Sequence, residues 1–215
     1  MPGICNDRVY GLAESIYRSG YPMMEEPPAL YEYVESVEQI EHDILTGNYT
    51  NPHITRAIKL ANAKGGGHDQ FLTGIVVNFD LTFSNKAWAE AERYKFLNFI
   101  SSASTMHRIS RMNISDCCNL YTSNEAIMTA IWLQEEYNAI DDSETYAKEK
   151  AYLKLLYNLP AGFELTAGMT TNYRCLKNIY AQRRSHRLPD WQLFCDWIET
   201  LSMAGYLITG EAVKK

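Results

Sequence analysis

The sequence lacks the cysteine and histidine patterns that structural or redox sites require. Its five cysteines are an odd number, none belongs to a C-x-x-C pair, and Cys117 and Cys118 are adjacent, which is a poor disulfide framework. We therefore expect reduced thiols and a cytoplasmic protein. A nucleophilic role for Cys117-Cys118 would need a charged partner, so buried structural thiols are favoured. No metal site is predicted, because no metal-ligand spacing is seen among His53, His68, His107 and His186.

Long apolar runs and a basic excess are also missing. No stretch approaches the length of a membrane span, and no secretory signal is seen, so no membrane association is expected. The chain carries 20 Lys and Arg against 26 Asp and Glu, for a net charge of −6. General nucleic-acid binding is not expected, because phosphate neutralisation needs a basic stripe. The local cluster RRSHR at residues 183–187 is still enough to hold a small anion.

What the chain does contain is typical of one globular domain. Its 215 residues are 46% apolar and 21% charged, which is enough for a core without disulfide or metal staples. We predict a single domain over residues 1–215. The fifteen tyrosines fit ligand sites and subunit interfaces, although a plain core uses them as well.

Periodicity predicts alternating helices and strands, and hence a mixed α/β fold. Apolar alternation predicts a strand over residues 72–83, and Leu159-Pro160 is expected to open a second strand. Gly65-Gly66-Gly67 lacks the sequence context of a phosphate loop, so a turn is favoured. A capping box at Thr122 and Glu125 marks one helix start. The helices are expected over residues 9–17, 31–45, 51–64, 86–101, 122–137, 143–158 and 171–182, and after residue 189.

The most informative stretch is LPAGFELTAGMTTNYRCLKNIYAQRRSH, residues 159–186. One predicted helix there carries several amide and guanidinium groups, which favours a polar ligand. They are Asn172, Arg174, Asn178, Arg183 and Arg184. Two alternatives remain open, since Asn172 is also a good helix N-cap and Arg183 could be a plain surface arginine.

Two sequence blocks in this order resemble the flavin-dependent thymidylate synthases. His68 to Leu81, HDQFLTGIVVNFDL, is similar to the family's H-E-T-P-F-E-H strand block. Further on, an L-P strand is followed by the pattern T-x-N-x-R-x-L. The matching positions are Leu159, Pro160, Thr170, Asn172, Arg174 and Leu176, followed by Asn178, Arg183 and the Ser185-His186 pair. With the helices between the blocks, the resemblance covers most of the chain after residue 50.

This resemblance implies a central, mainly antiparallel sheet flanked by helices, in a homotetramer with active sites between subunits. It also implies one-carbon transfer to C5 of a pyrimidine deoxynucleotide, dUMP in the family. Methylenetetrahydrofolate supplies the carbon and flavin hydride reduces it, so FAD and folate are the implied cofactors. No enzymic cysteine nucleophile is needed.

The resemblance also assigns candidate roles to individual residues. Arg183 is the candidate for catalysis and for pyrimidine binding. The other candidate substrate-binding residues are Ser102, Ser104, Arg108 and Gln182, and the cofactor-side residues are His68, Asn172, Arg174 and Asn178. His68 is equally compatible with a plain turn. His107 has no family counterpart, but its neighbouring serines make it a candidate acid, base or phosphate donor, or else a structural histidine.

The chain departs from the family at the signature R-H-R-x-x-S-x-N-E-x-S-x-R-Y. The same stretch reads LNFISSASTMHRI at residues 97–109, and Thr166 replaces a phosphate-binding arginine. Each charge-assisted bond to phosphate is worth about 1.5–3 kcal/mol, so losing three removes several kcal/mol of anion binding. The family's mode of binding FAD and dUMP together is therefore not expected here, unless His107, Arg108 and Arg111 rebuild part of a phosphate site. The alternative function is a non-catalytic module that binds a nucleotide or a protein.

Overall fold

A computed structural model describes residues 3–213, except for the side chain of His107. Its strands are β1 (Gly3–Tyr10), β2 (Val76–Ser84), β3 (Asn98–Ser102) and β4 (Glu164–Asn172). The helices of the first half are α1 (Leu12–Arg18), α2 (Leu30–Thr46), α3 (Pro52–Ala61) and α4 (Asn85–Ala91). Those of the second half are α5 (Thr105–Arg108), α6 (Asn124–Ala139), α7 (Thr145–Tyr157), α8 (Tyr173–Arg183), α9 (Pro189–Thr200) and α10 (Ala204–Leu207).

The strands form one antiparallel sheet in the order β1-β2-β4-β3, which confirms the predicted mixed α/β fold. Thr82 Oγ1 lies 2.7 Å from Thr166 Oγ1, so residues 82 and 166 face each other across β2 and β4. The amide of Ala103 donates to the carbonyl of Thr166 at 2.9 Å and so continues the pairing of β3 with β4. Strand β1 was not predicted.

Strand β2 covers most of the strand predicted over residues 72–83, but it begins at Val76, since Gln70–Gly74 form a short 3-10 helix instead. Val77, Phe79 and Leu81 are buried, whereas Asn78 and Asp80 between them are only partly so. One face of the strand therefore supplies core and the other carries polar groups, as a half-buried strand requires.

The helix predicted over residues 86–101 is wrong in its second half. Helix α4 ends at Ala91, and β3 begins at Asn98. The sequence NFISS contains poor helix formers, and pairing with β4 satisfies the backbone better than a further helical turn. Trp88, Ala91 and Tyr94, spaced three positions apart, imitated the stripe of a longer helix.

Two other boundaries also differ from prediction. The N-cap of α6 is Ser123, whose Oγ accepts from the amide of Ala126 at 3.3 Å, so the predicted cap at Thr122 is one residue early. Strand β4 begins at Glu164 instead of Leu159, because residues 160–163 make a turn closed by Phe163 N–H to Pro160 O at 3.0 Å.

Helices α8 and α9 confirm their predicted positions. The Oδ1 of Asn172 accepts from the amide of Cys175 at 2.9 Å, so β4 passes directly into α8 through this cap. In α9 the predicted apolar face, Trp191, Phe194 and Ile198, is fully buried.

The chain divides into two compact units, each with its own core. The first contains the chain up to Cys5, Asp80–Arg93 and Phe99–Met169. Its core includes Ile109, Ile114, Ala130, Leu133, Leu155 and Phe163. The second contains Asn6–Phe79, Tyr94–Asn98 and the chain from Thr170 onward. Among its fully buried side chains are Ile16, Ile40, Ile54, Tyr173, Trp191 and Phe194. The single domain over residues 1–215 stays a prediction.

A buried carboxylate organises the turn after α2 in the second unit. Asp43 accepts hydrogen bonds from the side-chain amides of Gln39 at 3.1 Å, Asn48 at 2.9 Å and Asn51 at 2.6 Å. The bond from Asn51, with those from Asn48 and Gln39, lowers the pKa of Asp43 against the opposing effect of burial. Asn51 also caps α3, where its Oδ1 accepts from His53 N–H.

Candidate functional site

Arg183 lies in the last turn of α8 and is buried, with 9% of its surface exposed. Its Nε donates to the hydroxyl of Tyr94 at 2.8 Å. Its guanidinium carbon lies 4.7 Å from the ring centre of Trp191 and 5.6 Å from that of Tyr94. A cation held over aromatic faces in this way is stabilised by the ring quadrupoles. Arg183 is therefore a fixed group within the second unit and differs from a mobile surface arginine.

Tyr94 links Arg183 to Gln182. Its hydroxyl accepts from Arg183 Nε and donates to Gln182 Oε1 at 3.0 Å. Its ring also meets that of Trp191 edge-on, with centroids 5.8 Å apart. Two of the predicted substrate-binding residues, the chain neighbours Gln182 and Arg183, thus share one hydrogen-bond partner that the sequence did not reveal.

The predicted cofactor residues on α8 are occupied by contacts within the second unit. The side chain of Asn172 caps the helix, as its alternative role predicted. Arg174 Nε lies 3.3 Å from Asp69 Oδ1, and Lys177 Nζ lies 2.8 Å from Asp69 Oδ2. Burial raises the pKa of Asp69, but the hydrogen bond from Lys177 and the charges of Lys177 and Arg174 outweigh it and lower that pKa. The cluster holds the turn before β2 against α8.

The other two candidates on the cofactor side are His68 and Asn178, both exposed. His68 lies in the turn after the three glycines, and Asn178 lies on α8. The cofactor roles of His68 and Asn178 stay predictions.

The candidates from the rewritten signature lie in the first unit. Ser102 is the exposed last residue of β3, Ser104 is half-buried just before α5, and Arg108 is exposed at the end of α5. His107 belongs to the same short helix, but its side chain lies outside the described part of the structure. The roles of these residues, and of Gln182 and Arg183 in the second unit, stay predictions.

The signature replacements have structural roles of their own. Leu97 is buried with 6% exposure, and Phe99 packs its ring against Trp88 with centroids 4.9 Å apart. The hydroxyl of Thr166 is hydrogen-bonded to that of Thr82. At these positions the side chains fit packing within a unit and offer no charge to a phosphate.

Four positions that would contact flavin, by resemblance to the flavin-dependent thymidylate synthases, carry side chains that are unsuited to it or already engaged. The side chains of Leu97 and Phe99 cannot donate hydrogen bonds, Asn172 is used as a cap, and Arg174 is paired with Asp69. The described residues at these positions therefore do not fit that mode of flavin binding.

The cysteines within residues 3–213 form no disulfide bonds. All five cysteines are free thiols. Burial raises the pKa of both Cys117 and Cys118, and the nearby Asp116 raises that of Cys117 further, which disfavours a thiolate. Within residues 3–213, no group of three or more His, Cys, Asp or Glu side chains could hold a metal ion. Over the same span, no helix has the length and apolarity to cross a membrane.

Comparison with solved structures supports the fold. The chain is similar to the Helicobacter pylori flavin-dependent thymidylate synthase ThyX in complex with FAD and dUMP, with a TM-score of 0.57 and 14% identity over 97% of this chain and 98% of that one. A second structure of Helicobacter pylori ThyX with FAD and dUMP gives 0.55, with 15% identity over 97% of both chains. No protein-family model matches the sequence, and neither does any curated protein. At this identity the likeness shows a ThyX-like fold.

Three residues of the site were missed from the sequence: Tyr94, Trp191 and Asp69. Trp191 falls in the helix predicted after residue 189 and Tyr94 in the helix predicted over residues 86–101, and neither prediction links them to Arg183. Asp69 lies 105 and 108 positions before its partners Arg174 and Lys177, as the chain numbering shows. The local signal for Asp69 was its place next to His68 in the first family-like block, which does not reveal its partners on α8.

Proposed function

We propose that this protein binds a pyrimidine deoxynucleotide and serves one-carbon transfer at its C5 carbon. The observation that carries the proposal is Arg183, a guanidinium fixed by Tyr94 and Trp191 at the position that binds the pyrimidine in the family it resembles. The ThyX-like fold over 97% of the chain supports the same assignment.

A pre-positioned guanidinium suits this chemistry. Charge develops on the pyrimidine when its C5 carbon reacts, and a cation already in place stabilises that charge without reorganising. Tyr94 and Trp191 limit the rotamers of Arg183, so less entropy is lost when a ligand is bound. In this proposal Gln182, Ser102, Ser104 and Arg108 contact the nucleotide, and His107 is the acid or base.

The one-carbon unit and its reduction require partners for the protein. By resemblance these are a folate and FAD, with His68, Asn172, Arg174 and Asn178 on the cofactor side. Because the signature positions do not fit the family's flavin mode, we expect FAD to bind weakly. We further propose a single-domain cytoplasmic protein that assembles as a homotetramer.

Nucleotide binding tests the proposal directly. In calorimetric titration with dUMP, Arg183→Met should weaken binding by at least about tenfold, because one charge-assisted bond worth about 1.5–3 kcal/mol is lost. Methionine keeps an apolar side chain against Trp191. The matched control is Arg184→Met, since Arg184 is exposed and paired with Asp196 and Glu199. Equal losses in both variants, or no dUMP binding by the unmodified protein, would refute the proposal.

A second candidate is a non-catalytic module that binds a nucleotide or a protein. Three contacts favour this module: Leu97 is buried, Phe99 packs against Trp88, and Arg174 pairs with Asp69. Because these side chains contact the protein itself, they are not offered to a flavin. The discriminating measurement is release of tritium from C5 of labelled dUMP, with methylenetetrahydrofolate, FAD and a reductant present. If the protein releases tritium and Arg183→Met abolishes that release, the enzyme is supported. If the protein binds dUMP but releases no tritium, the non-catalytic module is supported.

A further inference from the structure

A cavity of about 600 Å³ lies in the second unit between the end of α1 and the turn before β2. Its apolar wall includes Tyr21, Met23 and Phe71, its cationic groups are Arg18 and Arg56, and the imidazole of His68 also lines it. No carboxylate belongs to the described lining. Ligand sites of this size are mostly apolar with a few placed polar groups, and this cavity has that composition.

Arg56 is held in a fixed position at this cavity. Its Nε donates to Ser19 Oγ at 3.2 Å, and its Nη2 donates to the carbonyl of Tyr17 at 3.1 Å and lies 3.0 Å from His53 Nδ1. Arginine has only donors, so the His53 nitrogen must accept. Burial, with the charge of Arg56, lowers the pKa of His53, which agrees with a neutral imidazole in this role.

Gly20 makes this arrangement possible. A Cβ at residue 20 would lie 2.7 Å from the guanidinium carbon of Arg56, so the guanidinium lies directly on the glycine backbone. Gly20 has an ordinary φ of −91°, so its backbone does not require glycine. The residue is explained by the space that Arg56 needs.

The positive charge of Arg56 has no negative partner within the described part of the chain. Every acceptor around it is neutral, and its Nη1 forms no hydrogen bond there. Burial lowers the pKa of Arg56, which reflects the cost of holding this charge away from water. An unneutralised, pre-oriented guanidinium at the wall of a cavity is suited to an anion.

The glycine turn borders the same cavity at Gly67. Gly65 and Gly67 have φ values of +111° and +93°, which favour glycine, whereas Gly66 is not among the positive-φ residues. A Cβ at any of the three would meet nothing within 4 Å. At Gly66 neither the backbone conformation nor packing within the described chain calls for glycine, and the space beside the turn is open to a ligand.

We propose that this cavity binds a phosphate monoester of an aromatic or heterocyclic ring, with Arg56 and Arg18 holding the phosphate and Tyr21 and Phe71 contacting the ring. Two guanidinium groups match a dianion, and the apolar wall matches a flat ring. The inference goes beyond the proposed function, since it needs neither Arg183 nor any residue of the rewritten signature, although the cofactor-side candidate His68 also lines this cavity.

Calorimetric titration with phenyl phosphate tests the site, with inorganic phosphate and phenol as the anion-only and ring-only arms. Phenyl phosphate should bind at least about tenfold more tightly than either, and Arg56→Gln should weaken it by about tenfold or more. Gly20→Ala should cause a similar loss with every charge retained, because the new Cβ displaces the guanidinium. Lys59→Gln is the matched control, since Lys59 is an exposed cation on α3 that does not line this cavity.

Arg18→Gln keeps the test decisive if Arg56→Gln does not fold. Arg18 is exposed at the end of α1, and its replacement should weaken phenyl phosphate severalfold. The inference is overturned if phenyl phosphate binds no better than inorganic phosphate, or if Arg18→Gln and every folded Arg56 variant bind it like the unmodified protein. Arg183→Met should leave phenyl phosphate binding intact, which separates failure here from failure of the proposed function.

Discussion

The hydroxyl of Tyr94 should contribute measurably to stability through Arg183. In Tyr94→Phe the ring stays, so the contacts of Tyr94 with Trp191 and with the guanidinium are retained. Only the oxygen that accepts from Arg183 Nε at 2.8 Å and donates to Gln182 is removed. Gln182 is exposed and can bond to water, whereas Arg183 is 9% exposed and Nε loses a partner that water cannot readily replace.

The expected loss follows from the charged donor. A hydrogen bond to a charged group contributes about 1.5–3 kcal/mol, so the free energy of unfolding should fall by about that amount. For a chain of this length, this corresponds to a decrease in Tm of about 3–12 °C. Urea unfolding followed by tryptophan fluorescence measures the change, and Trp191 reports on the cluster itself.

The controls separate this contact from general effects of the substitution. Tyr157→Phe removes a hydroxyl from a residue that is 85% exposed and should leave stability unchanged. Gln182→Ala removes only the exposed half of the link and should cost less than about 0.5 kcal/mol. A loss below about 0.5 kcal/mol in Tyr94→Phe would show that Tyr94 does not hold Arg183 in place.

Two further changes test the charge pair at Asp69 in the second unit and the packing of a glycine in the first unit. Asp69→Asn should cost about 1 kcal/mol of unfolding free energy at about pH 7, and urea titrations should show this difference shrinking as pH falls below the ordinary pKa of 3.8. The pKa of Asp69 is lowered in the folded state, so its contribution is present above the ordinary value of 3.8 and is lost as pH falls through the folded value. An undiminished difference at low pH would contradict this. Gly162→Ala should cost about 1–3 kcal/mol, because its Cβ would lie 2.7 Å from Asn119 Oδ1 and closer still to Thr122 Oγ1. Gly66→Ala has open space and should leave the free energy of unfolding unchanged, with both variants measured by urea unfolding, and equal effects of the two would refute the packing argument.

The sheet shows which strands a sequence can reveal. The two central strands, β2 and β4, were predicted, at least in part, because burial of one face imposes alternation on β2 and a recognisable pattern on β4. The two edge strands were not. Every residue of β3 is exposed, and β1 contains only two half-buried residues, so neither required an apolar pattern. Their backbone pairing holds them in the sheet, and backbone pairing leaves little trace in side-chain order.

In the candidate site, contacts between near neighbours in the chain could be predicted from the sequence, whereas contacts between distant residues could not. The cap at Asn172 is closed by a residue three positions later and was therefore open to prediction. The link from Arg183 to Tyr94 joins residues 89 positions apart, so no local pattern reports it. Resemblance to the family predicted a binding role for Arg183. The side chains that hold it in place, Tyr94 and Trp191, reach it only through tertiary packing.

The carboxylate of Asp43 has a consequence for the order in which the protein folds. Its three amide partners lie four, five and eight positions away in the chain, so closing the loops between them costs little entropy. The pairing of Thr82 with Thr166 must instead close a separation of 84 positions. Contacts between near neighbours form fastest, so we expect the turn that joins α2 to α3 to be complete before the sheet. The α2–α3 segment would then be a preformed part of the chain, ready when its more distant strands pair.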